Sequence, residues 1–391
     1  MRQFTRRSLG ALTASTMAVA TFAAVVFSVL SADLIAEFGV ERWQIGILVT
    51  ATGVTGALLS PTFGRVTDRI GPVRATRGVL ISGVFFISFI AIAPTYGFLA
   101  AAAVLTGIPQ GWCNPATNAL IVANVEPGTR GVITGIKQSG VQAGTFLGGL
   151  LLGPLTEFWG WRPAVLVFLT VPLLALVAMR GRAESAEFVS RRERTRDPVP
   201  TAVVWVAVYG TMSGLASSSM FTFLPLFARE DQGWTAAEAG FLVAGVGLVG
   251  VVSRISWGSV SERWLGHGLT LRLLAVQAMA SALLLTLVST GTLGSWAMAP
   301  AAFLLGSGAV SWNAVGMLAV MDFSPPELVG RSTGVVLLGF LLGYGIGPPL
   351  LGLSVDRLGS YTQGWLAVTA LFAGCTRVAG RVSRTGTLAH P

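Results

Sequence analysis

The residue with the clearest chemical potential in this sequence is Lys137, which lies inside an apolar stretch. It is the only lysine among the 26 basic residues. A lysine at the centre of a membrane costs about 2.5–3.5 kcal/mol on insertion scales, so its charge needs a function or a route to water. Gln138 and Gln142 make this stretch more polar than a snorkelling lysine requires. The pattern leaves two interpretations open, an anion-binding group and a stem that reaches back about 10 Å towards the interface near Arg130.

Further polar side chains recur at helical spacing in other apolar stretches. Gln110, Asn114 and Asn118 are four residues apart, so they lie on one face of a helix. The interpretation stays open between a stripe that lines a substrate cavity and a stripe that hydrogen-bonds a neighbouring helix. The other candidate binding residues are Trp112, Trp312, Asn313, Tyr209, Ser213 and Ser217.

Acidic residues are missing from the interior of these stretches. A membrane protein that moves protons usually carries a buried acid that changes charge. Asp33 and Glu37 fall just beyond the first apolar stretch, and Asp322 falls at the end of the tenth. Asp33 is therefore the candidate proton site, and the alternative is an ordinary helix-end carboxylate.

Catalytic and metal-binding patterns find no support in the sequence. His267 and His390 are too far from other ligands for a metal cluster, and the phosphate-loop pattern of ATP-driven pumps does not occur. Cys113 and Cys375 lie in different apolar stretches and are expected to be small buried residues. We expect neither an enzyme, nor a cofactor, nor a bound metal.

The elements that must position these residues are membrane-spanning helices. Of 391 residues 53% are hydrophobic and 11% charged, and the mean hydropathy is +0.71. A spanning helix needs about 20 apolar residues, and twelve stretches qualify. They are 11–32, 43–63, 76–95, 98–123, 131–152, 163–179, 201–228, 237–257, 271–290, 295–320, 332–351 and 359–376. Arg377 makes the last the weakest. The predicted fold class is an all-α membrane protein in a lipid bilayer.

The net charge of +9 is an orientation signal. With alternating spans, all Lys and Arg except Arg42, Arg162, Arg229 and Arg357 fall on one side of the membrane. This asymmetry predicts a multi-pass protein of the cytoplasmic membrane with both termini in the cytoplasm. It also removes the reason to expect a nucleic-acid partner.

The second half of the chain repeats the first. The run GRVTDRIG carries Gly64, Asp68, Arg69 and Gly71 and is followed by Arg74, and GSVSERWLG repeats it with Gly258, Glu262 and Arg263. A shift of 199 residues superposes Asn114 on Asn313 and Glu157 on Asp356, and it aligns two glycine rows. These rows are Gly135, Gly140, Gly144 and Gly148, and Gly334, Gly339, Gly343 and Gly347. We expect a six-helix bundle over 1–180, a charged cytoplasmic linker over 181–200 and a second bundle over 201–391.

The repeated run resembles the cytoplasmic signature loop of the major facilitator superfamily of transporters, G-x-L-x-D-R-x-G. The resemblance implies two pseudo-symmetric six-helix bundles, with helices 1, 4, 7 and 10 around a central cavity. It also implies that Asp68 holds the cytoplasmic side shut in one conformation. Val66 replaces the signature leucine, Thr145 replaces a helix-5 proline of the antiporter branch, and Gly107 stands where proton-coupled branches carry arginine. These departures weaken an antiport interpretation.

The predicted function is secondary active transport of a small organic anion or polar metabolite by alternating access. One alternative is a proton-coupled antiporter that exports drugs or lipophilic compounds. An alternative of another class is a transporter-like membrane sensor without flux. We expect a monomer whose partner is a small-molecule substrate, coupled to protons if Asp33 titrates.

Overall fold

The computed structural model describes residues 4–126, 130–182, 198–325 and 328–386. Within these ranges all regular structure is helical. Most of the predicted linker, with Arg191, Arg192, Arg194 and Arg196, lies outside the described residues, as does His390.

Fifteen α-helices follow one another along the described chain. They are α1 Arg6–Val29, α2 Ser31–Phe38, α3 Arg42–Ile70, α4 Pro72–Ala91, α5 Tyr96–Asn124, α6 Arg130–Trp159, α7 Trp161–Val167, α8 Thr170–Ala178, α9 Thr201–Glu230, α10 Ala236–Val260, α11 His267–Ser289, α12 Met298–Leu304, α13 Trp312–Phe323, α14 Val329–Leu358 and α15 Thr362–Gly386.

The helices confirm the predicted all-α membrane fold class. Eight helical segments are by themselves long and apolar enough to cross a membrane. The other four predicted spans correspond to α5, α6, α9 and α15, which are 25 to 30 residues long. The last predicted span, the weakest because of Arg377, is not among these eight, and its helix α15 continues to Gly386.

The chain divides into two compact units. The first comprises Met1–Val40, Ala51–Arg192 and Thr235–Ala244, and the second comprises Glu41–Thr50, Glu193–Trp234 and Gly245–Pro391. The first turns of α3 therefore belong with the second unit, and the first turns of α10 belong with the first. The bounds predicted from the sequence, 1–180 and 201–391, place the whole of α3 in the first bundle and the whole of α10 in the second.

The helix packing within one unit repeats the packing within the other. In the first unit α1 packs on α6 and α4 packs on α5; in the second α9 packs on α14 and α11 packs on α12 and α13. The glycine rows explain the closest of these contacts. A Cβ on Gly140 would lie 2.1 Å from the Ala14 carbonyl oxygen of α1, and one on Gly343 would lie 2.0 Å from that of Thr211 on α9. Apart from their first members Gly135 and Gly334, which face open space, both rows are therefore close-packing surfaces within their own unit.

The signature run is mostly helical, which corrects its description as a loop. Gly64, Asp68 and Arg69 lie in the last turns of α3, and the chain turns only at Gly71, where φ is +87°. A side chain is rarely tolerated at this φ, so the glycine is needed there.

The second copy of the run is one residue longer than the first. The extra residue is absorbed by a π-helical turn over Ser261–Leu265, which carries Glu262 and Arg263. The Gly266 N–H donates to the Ser261 carbonyl, five residues back, at 3.0 Å, and Gly266 then turns with φ +72°. A single inserted residue is the usual origin of such a π-turn.

Candidate functional site

The side chain of Lys137 is buried inside the first unit, with 0% of its surface exposed. Its Nζ donates to Asn114 Oδ1 at 2.9 Å and to Asn118 Oδ1 at 2.7 Å. Among the described residues, no carboxylate forms an ion pair with it. The side chain therefore points across to α5 and does not snorkel along α6.

The spacing of the two asparagines explains why both reach the same amine. Asn114 and Asn118 are one turn apart on α5, and α5 packs on α6. Both asparagines remain exposed, whereas the lysine behind them is covered. Asn114 and Asn118 therefore hydrogen-bond a neighbouring helix, as one interpretation of the stripe expects, and they still present a polar surface. That the stripe lines a substrate cavity stays a prediction.

The amide orientation gives that surface its chemical character. Both Oδ1 atoms accept from Lys137, so each Nδ2 group remains free to donate, and no described residue accepts from either. Two NH₂ groups therefore lie around one amine. The cluster of Lys137, Asn114 and Asn118, called the lysine–asparagine cluster below, has a surplus of donors and suits an oxyanion.

Other predicted residues of the first unit lie nearby in sequence but make different contacts. The Trp112 Nε1–H donates to Thr67 Oγ1 at 3.0 Å, and the indole stacks on Phe63 at 4.7 Å between ring centroids. Trp112 therefore fastens α5 to α3. Gln110 is half-buried and Gln138 is exposed.

The predicted residues of the second unit form an aromatic cluster. Trp312 is 2% exposed and packs against Tyr209 and Phe340, with ring centroids 5.8 and 5.3 Å away. The buried Tyr209 hydroxyl donates to the Leu271 carbonyl oxygen at 3.0 Å. In this structure both rings are packing residues and do not form an open polar surface. Asn313 is half-buried, Ser217 is buried, and the buried Ser213 Oγ has no hydrogen-bond partner among the described residues.

The charged residues of the two signature runs lie on the surface. Asp68, Arg69, Arg74, Glu262 and Arg263 are exposed, and Asp68 forms no ion pair with another described residue. The half-buried Gly64 and Gly258 lie within α3 and α10. The neighbouring Arg77 donates to the carbonyl oxygens of Met179 and Arg182 at 2.7 and 2.8 Å. It thereby supplies donors to the free carbonyls at the end of α8.

Two equivalent carboxylates each bind the start of a helix. Asp356, near the end of α14, accepts from the backbone N–H groups of Arg42 and Trp43 at 3.3 and 3.0 Å and from Arg42 Nη1 at 3.0 Å. Glu157, near the end of α6, accepts from the Ala237 N–H at 2.9 Å. Each carboxylate satisfies free donors at a helix N-terminus, where negative charge is favoured. Sequence comparison aligned the two acids but gave neither a role.

Two further acids join the first and last spans of each unit. Glu37 on α2 pairs with Arg162 and accepts from the Trp161 Nε1–H, both at the start of α7. Burial raises the pKa of the Glu37 carboxyl, but these hydrogen bonds and the Arg162 charge bring the pKa below its ordinary value of 4.5. In the second unit Glu230 accepts from the Tyr361 hydroxyl at 2.6 Å and from Arg42 Nε at 2.8 Å. Asp33, the candidate proton site, is half-buried in the first turn of α2.

One cluster in the second unit was not anticipated from the sequence. The His267 Nε2 lies 2.6 Å from Asp322 Oδ2, and its Nδ1 lies 2.8 Å from Ser261 Oγ. The three residues connect the π-turn, α11 and α13. Within the described part of the chain, no group of three metal-binding side chains occurs. His267 and Asp322 are 55 positions apart, so no local sequence pattern predicts their contact.

Comparison with known proteins places these features in context. A family model described as the Major Facilitator Superfamily matches residues 12–348. An uncharacterized MFS-type transporter of Mycobacterium tuberculosis is 26% identical over 266 residues, which are 67% of this chain and 59% of that protein. The chain thus spans about three fifths of the length of this relative.

Two further relatives carry more specific names. The multidrug resistance protein B homolog of M. tuberculosis is 26% identical over 92% of this chain and 60% of its own length. The gentisate transporter of Corynebacterium glutamicum is 24% identical over 84% of this chain and 77% of its own length. A solved bacterial homolog of the human lysosomal transporter Spinster, inward-facing and unoccupied, has a TM-score of 0.77 at 17% identity, with 98% of both chains covered.

Proposed function

This chain belongs to the Major Facilitator Superfamily, and from that premise we propose that it carries a small organic anion across the cytoplasmic membrane. It does so as a secondary transporter, by alternating access. The family is one of membrane transporters and not of enzymes.

The observation that carries the proposal is the lysine–asparagine cluster. A buried ammonium without a counter-charge is costly, and an anion that binds beside it supplies that charge. A carboxylate would accept from Lys137 Nζ with one oxygen and from an Asn114 or Asn118 NH₂ group with the other. Such charge-assisted hydrogen bonds are stronger than neutral ones. Gentisate, named as the substrate of one relative, is itself a carboxylate.

The remaining parts of the proposal follow from charge placement. We assign both termini to the cytoplasm because the Lys and Arg residues concentrate on one side of the spans. Asp68 is assigned to the conformational change and not to substrate binding, since it lies at the end of α3 and is exposed. The chain acts as a monomer in this account.

A second candidate function is efflux of lipophilic or cationic compounds. Two observations favour it, namely the relative named as a multidrug resistance protein and the aromatic cluster around Trp312. Aromatic faces bind apolar and cationic ligands. The same aromatic cluster is closed in this structure, and the lysine–asparagine cluster presents a surplus of N–H donors, so the anion remains the preferred substrate.

Transport in liposomes decides between the two. We would measure tracer uptake of gentisate, other carboxylates and lipophilic cations, with and without a pH gradient. We expect saturable carboxylate uptake, abolished in Lys137→Ala and retained in Val336→Ala, a buried position outside the proposed site. Cation flux driven by the pH gradient would replace the anion proposal with efflux, and Asp33 would then be the next residue to change. Flux of neither class would favour the sensor alternative.

A further inference from the structure

The hydrogen bonds of Lys137 match one protonation state of an amine better than the other. A neutral amine has two N–H donors and a lone pair, whereas an ammonium has three N–H donors. The structure provides two acceptors, Asn114 Oδ1 and Asn118 Oδ1. A third N–H would find no acceptor among the described residues. The two asparagine oxygens thus accept both N–H bonds of the neutral amine, whereas one N–H of the ammonium is left without an acceptor.

The charged groups around the cluster do not compensate a positive charge. In the first unit, α6 packs on α1, α5 and α7 and, at Gly149, Gly153 and Glu157, on the first turns of α10. The acid of those turns, Glu238, therefore lies towards the far end of α6 from Lys137. Helix α1 carries only Arg6 and Arg7, at its first residues, and α7 carries only Arg162. Glu157 is the one acid of α6, 20 residues from Lys137 and so about 30 Å along the helix.

The titratable group beside the two asparagines on α5 is a thiol. Cys113 lies on α5 beside Asn114 and donates to the Gln110 carbonyl oxygen at 3.1 Å. The second titratable group of α5 is Tyr96, at the opposite end of that helix. Neither residue supplies a carboxylate, so the charge of the amine depends on what occupies the cluster.

We propose that Lys137 is the proton-coupling group of this transporter, taking up one proton when a carboxylate binds and releasing it when the carboxylate leaves. The inference rests on the proposed function and adds its driving ion. In the binding step the nitrogen lone pair forms a new N–H bond with a proton from water or buffer. The carboxylate then accepts the third N–H. A monocarboxylate and a proton cross together, and the step transfers no net charge.

Proton-coupled membrane proteins usually carry the coupling proton on a buried acid, whereas here a lysine carries it. The absence of a deep acid in the spans argued against proton coupling as long as only acids were considered. A lysine that is neutral when empty and charged when loaded meets the same requirement. Asp33 is then not needed as a proton site.

Proton uptake on binding tests the proposal directly. We would titrate the purified full-length protein with gentisate by calorimetry in buffers of different ionisation enthalpy, which gives the protons bound per ligand. Uptake should approach one proton in alkaline buffer and fall towards zero in acid buffer, where the amine is already charged. In the alkaline range the Kd should rise about tenfold for each unit of increasing pH, because binding then requires the uptake of one proton.

Three variants assign the proton to its residue. Arginine keeps the charge and does not deprotonate, so Lys137→Arg should bind gentisate with no proton uptake and a Kd independent of pH. Lys137→Met should not bind gentisate. Cys113→Ala should retain both binding and proton uptake, because the thiol has no part in the step.

The possible failures can be told apart. Gentisate binding by the wild type without proton uptake at any pH overturns the coupling and leaves the anion site standing. Uptake that persists in Lys137→Arg assigns the proton to another group and also overturns it. If no carboxylate of the panel binds, the proposed function fails and the coupling fails with it. Should Lys137→Arg not fold, the pH dependence of the wild-type Kd decides alone.

Discussion

The two halves share a helix plan but differ at the positions that could bind a substrate. The shift of 199 residues places Lys137 on Val336, Asn118 on Met317 and Asn114 on Asn313. Val336 is fully buried, like Lys137, but it requires no polar partner. Helix packing therefore tolerates an apolar side chain at this depth. Close packing gives no reason for the lysine. Under the proposed function, this difference places the charge-specific part of the site in the first half.

The glycine rows are where the two halves agree, and they provide the largest expected stability effect. Because a Cβ at position 140 would press on the α1 backbone, Gly140→Ala should destabilise the protein by about 1–3 kcal/mol or more. Gly135 on the same helix faces open space, so Gly135→Ala should be neutral or stabilising by about 0.5–1 kcal/mol. Thermal unfolding in detergent compares the two. Equal effects would contradict the close-packing role of the row.

Asp356 and Glu157, the equivalent carboxylates that bind helix N-termini, differ in their hydrogen bonds. Among the described residues, Asp356 accepts three hydrogen bonds, including one from the charged Arg42 side chain, whereas Glu157 accepts one. We expect Asp356→Asn to cost about 1.5–3 kcal/mol and Glu157→Gln about 0.5–1 kcal/mol.

Hydrogen exchange provides the local measurement for these two variants. The amides of Arg42 and Trp43 should lose protection in Asp356→Asn, and the amide of Ala237 should lose it in Glu157→Gln. Unchanged protection at both helix starts would show that the carboxylates do not stabilise them.

The two signature runs provide a functional comparison. Asp68 lies in the last turn of a regular α-helix, whereas Glu262 lies in a π-turn and is one residue further from the glycine that follows it. If Asp68 biases the conformational equilibrium, Asp68→Asn should lower the transport rate about tenfold, roughly 1.4 kcal/mol, with substrate affinity close to wild type. Glu262→Gln should have a smaller effect. Tracer flux and binding measured on the same preparations check this, and a fully active Asp68→Asn would exclude the gating role.

The smallest expected effect concerns pH. The pKa of Glu37 is lowered in the folded protein, so its pairing with Arg162 stabilises the fold above pH 4.5 and is lost as the pH falls below that value. Both side chains are 35% exposed, so Glu37→Gln should cost at most about 1 kcal/mol at neutral pH. The wild type and the variant should converge in acid. A difference that grows in acid would contradict the pairing.

Periodicity and composition predict most of this fold, and tertiary contacts decide the rest. Spans, repeat and glycine rows follow from the sequence because each depends on local spacing. The direction of the Lys137 side chain does not follow from the sequence, because its flexible stem can reach either the interface or a neighbouring helix. Only the packing of α5 on α6 decides between these two directions. The binding of Asp356 to the start of α3 joins residues more than 300 positions apart, and no local pattern encodes it. The π-turn was visible only as one extra residue in the second signature run.

The most direct test of the account compares two equivalent positions. Saturable gentisate uptake into liposomes would be measured for the wild type, Lys137→Ala and Val336→Ala, with folding of each checked by thermal unfolding. We predict that uptake is lost in Lys137→Ala and stays near the wild-type rate in Val336→Ala. Wild-type uptake by a folded Lys137→Ala would contradict the central claim that this lysine binds the transported anion.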